Sequence, residues 1–508
     1  MALWVLSLVA ASIGVAFWIY QRFGHLLKYG AKIPGYPALP VIGNALEYVN
    51  KTPHEFLESV GENFAAHGKT FRVWMGPDLM VVSKDARVAE AVLSSQKFLD
   101  KSNEYDFLRP WLANGLLTST GRKWHSRRKI ITPTFHFKIL EQFVEIFDRQ
   151  SSVFVEKLRP HAVSEEAFDI YPLVTLCALD VICESAMGTK VNAQEDAESE
   201  YVRAVKDMSY IVHQRTFKIL ARMNFTFNLM PYRGVQEQAL KVLHGYTDSV
   251  IKSRRRELGA TSGWKIDEND NDIGIRKKVA FLDMLLATTV DGKPLEDLEI
   301  REEVDTFMFE GHDTTTSAIS FLFRCLAENP KVQAKVYEEI LTVIGNDVSR
   351  PVTLQVLNDL NYLDLVIKET LRLYPSVPAY ARNLKEDMIV GKDITIPAGC
   401  NLVVVPFYMG RDADYFERPN EFWPERFATE TSAEKANPYR YVPFSAGPRN
   451  CVGQKFAVAE IKSLVSKTLR HYEVLPVGAA RAAKTGRFVA ELILRDEGGV
   501  PVRLRKRM

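Results

Sequence analysis

The chain has 508 residues, of which 46% are hydrophobic and 25% are charged, and its formal net charge is +2. This composition is typical of a globular protein with a large core, and the near-neutral charge argues against nucleic-acid binding through bulk charge. The cysteine residues are odd in number, widely spaced and without a CxxC pair, which excludes a disulfide framework and is typical of a reducing compartment. They are Cys177, Cys183, Cys325, Cys400 and Cys451.

The first predicted element is an apolar helix near the N-terminus. Ala2 to Tyr20 carry no charge, and a helix of that length spans about 30 Å, the hydrocarbon core of a bilayer. Positive charges, Arg22 among them, only follow this run, so the positive-inside rule leaves the C-terminal flank cytoplasmic. We therefore predict an uncleaved transmembrane anchor over residues 1–21, with a cleaved secretory signal as the alternative.

The anchor is followed by a basic, proline-rich segment over residues 22–43, which predicts a semi-rigid hinge. We predict one globular domain over residues 44–508. Thr70–Met75 and Asp78–Ser83 flank a Gly-Pro turn and predict a β-hairpin. Apolar residues at three- and four-residue spacing predict mostly helix from about residue 120 to 460.

Further strands and one loop are predicted in the second half of the chain. The polar stretch 257–278 predicts an exposed loop. Strand patterns occur at residues 394–396 and 402–406. A last hairpin is predicted between residues 488–494 and 500–504, across the turn 496–499.

Ile300 to Glu328 predicts one long helix that ends before Pro330, and its middle, Glu310-Gly-His-Asp-Thr-Thr-Thr316, is unusual. Gly costs about 1 kcal/mol in a helix interior, and Thr and Asp side chains compete for backbone hydrogen bonds. One interpretation is a locally opened helix whose acid and hydroxyls cradle a small polar ligand and relay protons to it. The alternative is a kinked helix whose hydroxyls bind i−4 carbonyls. A lone His312 is typical of a polar filler rather than a metal ligand.

Phe444-Ser-Ala-Gly-Pro-Arg-Asn-Cys451-Val-Gly453 places one cysteine in a Gly/Pro-rich turn just before a helix that begins at Gln454. Free N–H groups and the helix dipole favour the thiolate, and Arg449 offers a cation to a carboxylate on a ligand. A lone thiolate suits haem iron better than zinc, which takes about four ligands. A buried structural cysteine is the alternative.

The Phe-x-x-Gly-x-Arg-x-Cys-x-Gly loop resembles the haem-thiolate loop of the cytochrome P450 monooxygenases. Glu303 to Thr315 is similar, residue for residue, to the stretch that marks family 4 of that superfamily. The resemblance covers nearly the whole chain. It implies a mainly α fold with a smaller β-rich part, and haem b held by Cys451 as the axial ligand of iron.

The resemblance also assigns roles to further residues. Asp313 and Thr314 match the acid–threonine pair of oxygen activation, and Glu310 matches a glutamate that can form an ester with a haem methyl. Glu-x-x-Arg and Pro-Glu-Arg-Phe motifs imply a buried structural triad. The assigned residues are Phe444, Trp124, Arg128, Arg382 and Arg449 for haem binding, and Glu369, Arg372 and Arg426 for the triad. Gly410, Ala413 and Trp423 depart from the usual family pattern.

The activity implied is ω-hydroxylation of fatty acids or related lipids, with O₂ and with NADPH electrons from cytochrome P450 reductase, cytochrome b5 being a second candidate donor. Oxidation of hormones or of xenobiotics such as insecticides, a peroxide-rearranging isomerase, and a haem sensor or carrier are the alternatives. The location implied is the endoplasmic reticulum membrane, with a cytosolic catalytic domain. We expect substrate contacts from residues 105–117, the first half of the long helix and residues 491–494. Arg127, Lys129 and Lys455 are candidates for a basic docking face.

Overall fold

The structure is a computed structural model that describes residue 4 and residues 23–196, 199–260, 280–290, 292–428 and 437–507. The predicted anchor over residues 1–21 lies outside these ranges, apart from residue 4. Within the described ranges, no helix is both long and apolar enough to cross a membrane. The predicted polar loop also lies mostly outside them, and its first residues, 257–260, form the end of a helix instead.

Helices form most of the described chain, as the apolar spacing predicts. After a short helix over residues 23–30, they are α1 (Pro53–His67), α2 (Ala86–Leu93), α3 (Arg109–Leu112), α4 (Gly121–Ile131), α5 (Phe137–Ser164), α6 (Tyr171–Ser185), α7 (Glu200–Phe217), α8 (Ile219–Arg222), α9 (Asn224–Phe227), α10 (Tyr232–Ala260), α11 (Phe281–Ala287), α12 (Asp297–Glu328), α13 (Pro330–Val343), α14 (Leu354–Asp359), α15 (Asn361–Leu373), α16 (Pro406–Met409), α17 (Gln454–His471) and α18 (Ala479–Ala482).

The predicted long helix is confirmed as α12, which begins three residues earlier than expected. The backbone N–H of Glu296 donates to the Glu299 carboxylate at 3.1 Å, which satisfies one of the free donors at the helix start. The helix ends at Glu328, because Pro330 cannot continue it and starts α13 after the single residue Asn329. Most side chains of α12 are buried, so this helix runs through the core.

The strands form small sheets at the edge of the helical part. They are β1 (Thr70–Met75), β2 (Asp78–Ser83), β3 (Phe168–Asp169), β4 (Thr289–Val290), β5 (Lys293–Pro294), β6 (Tyr380–Asn383), β7 (Met388–Val390), β8 (Ile394–Ile396), β9 (Asn401–Val404), β10 (Tyr472–Leu475), β11 (Phe488–Ala490), β12 (Leu494–Asp496) and β13 (Pro501–Lys506). The predicted β1–β2 hairpin is confirmed, and it extends into a sheet of order β1-β2-β9-β6. The predicted hinge runs along this sheet, because the Arg72 N–H donates to the Pro34 carbonyl at 2.8 Å.

The predicted last hairpin is wrong in its pairing. β11 pairs with β12, in the register Phe488 with Asp496. β13 pairs instead with β10 and β3, about 30 and 330 residues away. The sequence pattern identified extended segments, but strand partners so far apart in the chain depend on the tertiary fold.

The site is positioned by the contacts that α12 makes with its neighbours. Gly311 lets α6 approach α12, since a Cβ at that position would lie 2.5 Å from the Ile182 Cδ1. On the other side α17 packs against α5, where the Phe456 and Phe147 rings are 4.8 Å apart. The Cys451 loop therefore faces the middle of α12 across a large cavity.

Candidate functional site

Cys451 lies in a tight turn three residues before α17. Its N–H donates to the Phe444 carbonyl at 2.9 Å, which closes the loop. Gly447 has φ +66°, and a Cβ there would lie 1.9 Å from the Leu93 carbonyl oxygen, so only glycine fits. Among the five cysteines Cys451 alone is exposed, and its exposure is to the interior cavity that it lines together with Phe444, so the sulfur is still surrounded by protein.

The pKa of the Cys451 thiol differs from the sequence-based expectation of a thiolate. Burial, and then the Glu310 carboxylate, raise this pKa to about 11, against the opposing effects of the Gly453 N–H and Arg128. The expectation is therefore wrong for the protein alone, because desolvation outweighs the helix end. A bound metal cation would remove the proton outright.

Glu310 projects from α12 into the same cavity. Burial raises the pKa of this carboxyl to about 7, while Lys101, Arg449 and Arg128 oppose the rise. Near neutral pH the side chain is therefore poised between the acid and the carboxylate. Glu310 is the carboxylate that raises the pKa of the Cys451 thiol.

Four cationic side chains line the cavity: Lys101, Arg128, Arg382 and Arg449. Arg128 donates to the carbonyl and the side chain of Asn450 on the Cys451 loop, at 2.8 and 2.6 Å. Arg449 donates to backbone carbonyls and lies 4.8 Å from the ring centroid of Trp124, which is buried.

Arg382 and Lys101 face each other through an isolated β-bridge. Lys101 was not predicted, and a single Lys in a loop carries no sequence signal that would reveal its destination.

Negative charge compensates these four cations only in part, since Glu310 is the carboxylate that acts on Lys101, Arg128 and Arg449. Burial and then Arg382 lower the pKa of Arg449 to about 9. Burial, Arg382 and Arg449 together lower the pKa of Lys101 well below its usual value. Guanidinium groups bind carboxylates through a planar donor fork, so this end of the cavity is suited to a ligand that carries carboxylates.

Asp313 and Thr314 lie next to each other on α12 and point in different directions. Thr314 lines the cavity, and its hydroxyl donates to the Glu310 carbonyl at 2.7 Å. Asp313 is buried, and both carboxylate oxygens accept from Arg495 Nη2, at 2.9 and 2.8 Å. Arg495 was not predicted, because it lies 182 residues away on β12 and belongs to no motif.

The middle of α12 does not open. It remains an α-helix, and the hydroxyls of Thr314, Thr315 and Thr316 donate to the carbonyls four residues earlier. This is the hydrogen bonding of the second interpretation, and the locally opened helix is wrong. His312 is buried and its Nδ1 contacts the Met308 carbonyl at 2.5 Å, in keeping with a polar filler.

The three residues of the predicted structural triad lie together and are buried. Arg372 donates to both oxygens of Glu369 at 2.7 Å, and Arg426 donates to the same carboxylate at 3.1 Å. Trp423, one departure from the family pattern, adds its backbone N–H to this carboxylate at 2.8 Å. Gly410, another departure, lies so close to Arg372 that a Cβ would be 2.1 Å from its carbonyl oxygen.

The residues predicted to form a basic face are separated by burial. Lys129 and Lys455 are exposed, next to the Cys451 side of the site. Arg127 is only 2% exposed and pairs with Glu299 of α12, so its assignment to a docking face is wrong. Its helix turns this side chain inward, which residue spacing alone did not indicate.

The rest of the cavity is mainly apolar. Each predicted substrate segment contributes to its lining, for example through Leu116, Phe307 and Ile493. The end of α7 also lines it and was not predicted. Those residues are Val212, His213, Thr216 and Phe217.

The donor set fits an iron porphyrin. Cys451 carries the only thiol among the described residues that line the cavity, and the described residues contain no cluster of three or more His, Cys, Asp or Glu side chains that could hold a bare metal ion. The cations, which Glu310 compensates only in part, match the two carboxylates of a porphyrin, and the apolar lining matches its ring.

Comparison with known proteins agrees with this chemistry. Residues 33–491 match the family model described as Cytochrome P450. The chain is 46% identical over 508 residues to cytochrome P450 4d1 of Drosophila melanogaster, covering 99% of each protein. It is 48% identical over 479 residues to cytochrome P450 4d2 (94% of each protein), and 42% identical over 501 residues to cytochrome P450 4c3 (96% of this chain and 91% of the relative), both from Drosophila melanogaster.

Proposed function

The chain belongs to the cytochrome P450 family and is a haem monooxygenase of the family 4 type, and from this premise we propose that it ω-hydroxylates fatty acids or related lipids. One atom of O₂ enters a C–H bond of the lipophilic substrate, and electrons come from NADPH. The observation that carries the proposal is the Cys451 sulfur at the cation-lined end of a long apolar cavity.

We assign Cys451 to the iron and the cations to the carboxylates of haem b. The cations that line the cavity are Arg128, Arg382, Arg449 and Lys101. The Trp124 ring packs against the Arg449 guanidinium. When bound, haem supplies the activation of O₂. The Phe444 carbonyl accepts the Cys451 N–H and so closes the loop that carries the sulfur.

Thr314 and Asp313 are assigned to proton delivery. Thr314 lines the cavity, so its Oγ1 can hold a proton for the reacting site, and Asp313 can replace that proton. Thr314 donates to a backbone carbonyl and Asp313 is held by Arg495. Both hydrogen bonds must therefore open before a proton moves along this pair.

Glu310 is assigned to a covalent ester with a haem methyl. Its position in the cavity and its pKa of about 7 support this assignment. A tethered haem would form a rigid floor, on which a terminal methyl reaches the iron ahead of weaker C–H bonds. Acid extraction should leave haem on the wild-type protein and release it from Glu310→Ala. Complete release from both proteins would contradict the assignment.

The exposed surface supports the proposed redox partners and the proposed membrane location. Lys129 and Lys455 remain candidates for docking cytochrome P450 reductase or cytochrome b5. A location on the endoplasmic reticulum membrane, with residues 1–21 as the anchor, 22–43 as the hinge and 44–508 as the catalytic domain, stays a proposal. Exposed apolar side chains support it: Val41 is 87% exposed and Phe225 is 78% exposed.

The proposed function is tested in two steps. The reduced carbon monoxide spectrum should have the band of thiolate-bound haem, and Cys451→His should lose it. The purified protein, reductase and lauric acid should then consume NADPH and release the ω-hydroxy product. A peroxide-rearranging isomerase would need no reductase, and a carrier would form no product, so either outcome refutes the proposal.

A further inference from the structure

His213 is a polar residue in the cavity that no assignment above uses. It lies on α7, is 4% exposed, and lines the cavity. Neither ring nitrogen has a hydrogen-bond partner within the part of the chain that the structure describes. The imidazole packs edge-on against Phe56 and Phe217, with ring centroids 5.8 and 4.9 Å away. These contacts place it among apolar side chains of α1 and α7, not on the Cys451 loop.

A buried imidazole without hydrogen-bond partners lowers the stability of the folded protein. A bound ligand with a polar atom at this position would remove that cost. Burial, and then Lys218, lower the pKa of His213 to about 4. The ring is therefore neutral at pH 7, with one N–H donor and one nitrogen acceptor. A hydroxyl or a carbonyl oxygen can pair with such a ring without bringing charge into the cavity.

The charges around α7 disfavour a free carboxylate at this position. Arg222 of α8 already binds Asp78 at 2.7 Å and Glu104 at 3.1 Å, and Arg215 of α7 donates to the Ala221 carbonyl at 3.3 Å. Lys218 does not line the cavity. The cations that do line it are the four assigned above to the carboxylates of haem. A carboxylate buried beside His213 would thus share the cavity with Glu104, and the described residues offer it no cation outside those already assigned or paired.

We propose that His213 hydrogen-bonds an uncharged hydroxyl or carbonyl oxygen on the substrate, whose apolar chain extends toward Cys451. The inference rests on the proposed monooxygenase function. Within the fatty acids and related lipids of that function, it favours neutral oxygenated lipids, such as long-chain alcohols and esters, which should bind more tightly than lauric acid. His213 is a specificity-determining residue in this reading, and it takes no part in the oxidation itself.

The test is a binding titration of the haem-loaded protein at pH 7.4, followed through the haem Soret band. Dodecane, 1-dodecanol and laurate are titrated into the wild type, His213→Phe, His213→Gln and Thr216→Val. The quantity compared is the ratio of the dodecane and dodecanol dissociation constants, since differences in ligand hydration cancel between variants. One neutral hydrogen bond predicts that His213→Phe lowers this ratio about 3- to 10-fold.

The control variants separate the hydrogen bond from the shape of the site. Thr216 lines the same cavity one turn away, and its hydroxyl already donates to the Val212 carbonyl at 2.8 Å, so Thr216→Val should keep the ratio. His213→Gln retains a donor and an acceptor and should keep most of it. The reduced carbon monoxide band verifies that each variant is folded.

Two results would overturn the inference. One is an unchanged ratio in His213→Phe. The other is tighter wild-type binding of laurate than of 1-dodecanol, which decides the question even if His213→Phe does not fold. The titration needs no turnover, so a failure of NADPH-dependent product formation would refute the proposed function and leave the binding result standing.

Discussion

Replacing Glu369 by Gln should prevent stable haem incorporation, although Glu369 lies far from Cys451 along the chain. The carboxylate is fully buried, and it accepts two hydrogen bonds from Arg372, one from Arg426 and one from the Trp423 N–H. Gln has the same shape but no negative charge. The change leaves two buried guanidinium groups without their counterion, which typically costs about 3–5 kcal/mol.

That loss is large compared with the total stability of a domain, which is about 5–15 kcal/mol. Because the triad fixes α15 against the segment that leads to the Cys451 loop, the loop should lose its geometry first. The measurements are the haem content from the ratio of Soret to protein absorbance, and the urea midpoint of unfolding. Both should fall sharply in Glu369→Gln.

A matched control lies on the same helix. Lys368 pairs with Asp364 at 3.0 Å, and Lys368 is about half exposed. An exposed pair of this kind is worth at most about 1 kcal/mol, so Lys368→Gln should retain the haem content and shift the midpoint little. Wild-type haem content and an unchanged midpoint in Glu369→Gln would refute the reasoning that the triad depends on its buried charge.

Three further predictions concern the Cys451 loop, a hydroxyl of the long helix α12 and one buried acid of the same helix. Gly447→Ala should yield no haem-loaded protein by its reduced carbon monoxide spectrum, since the added Cβ would overlap the Leu93 carbonyl; a normal spectrum would contradict the close approach. Thr314→Ala should consume NADPH with reductase but form less product per NADPH, whereas Thr314→Ser should restore the yield; an equal yield in both variants would argue against proton delivery by the hydroxyl. Burial raises the pKa of Asp305 from 3.8 to about 8, so the folded state holds a proton that the unfolded state releases, and this residue lowers stability progressively as the pH rises from about 4 to about 8. Urea midpoints of Asp305→Asn should therefore decline less between pH 5 and 8 than those of the wild type, and parallel declines would exclude this titration.

Much of the site could be predicted because its signals are local. The Cys451 loop needs a glycine at a positive φ and a helix directly after the sulfur, and both requirements are met by neighbours in the chain. The continuous 3.6-residue periodicity and a following proline determine α12. The β1–β2 hairpin needs only a short turn between two extended segments.

The tertiary structure decided the partners that lie far apart in the chain. Arg495 reaches Asp313, Lys101 reaches Arg382, and His213 enters the cavity from α7, and no local pattern marks any of these encounters. The same limit explains two of the predictions that were wrong. The partner of β13 and the inward turn of Arg127 depend on which elements pack together.

The sequence by itself thus determined the family, because the Cys451 loop and the middle of α12 that mark it are each a run of adjacent residues. Only the fold decided the ionisation of the site. The pKa values of Cys451 and Glu310 are raised by burial, and burial is created when distant helices close around the cavity.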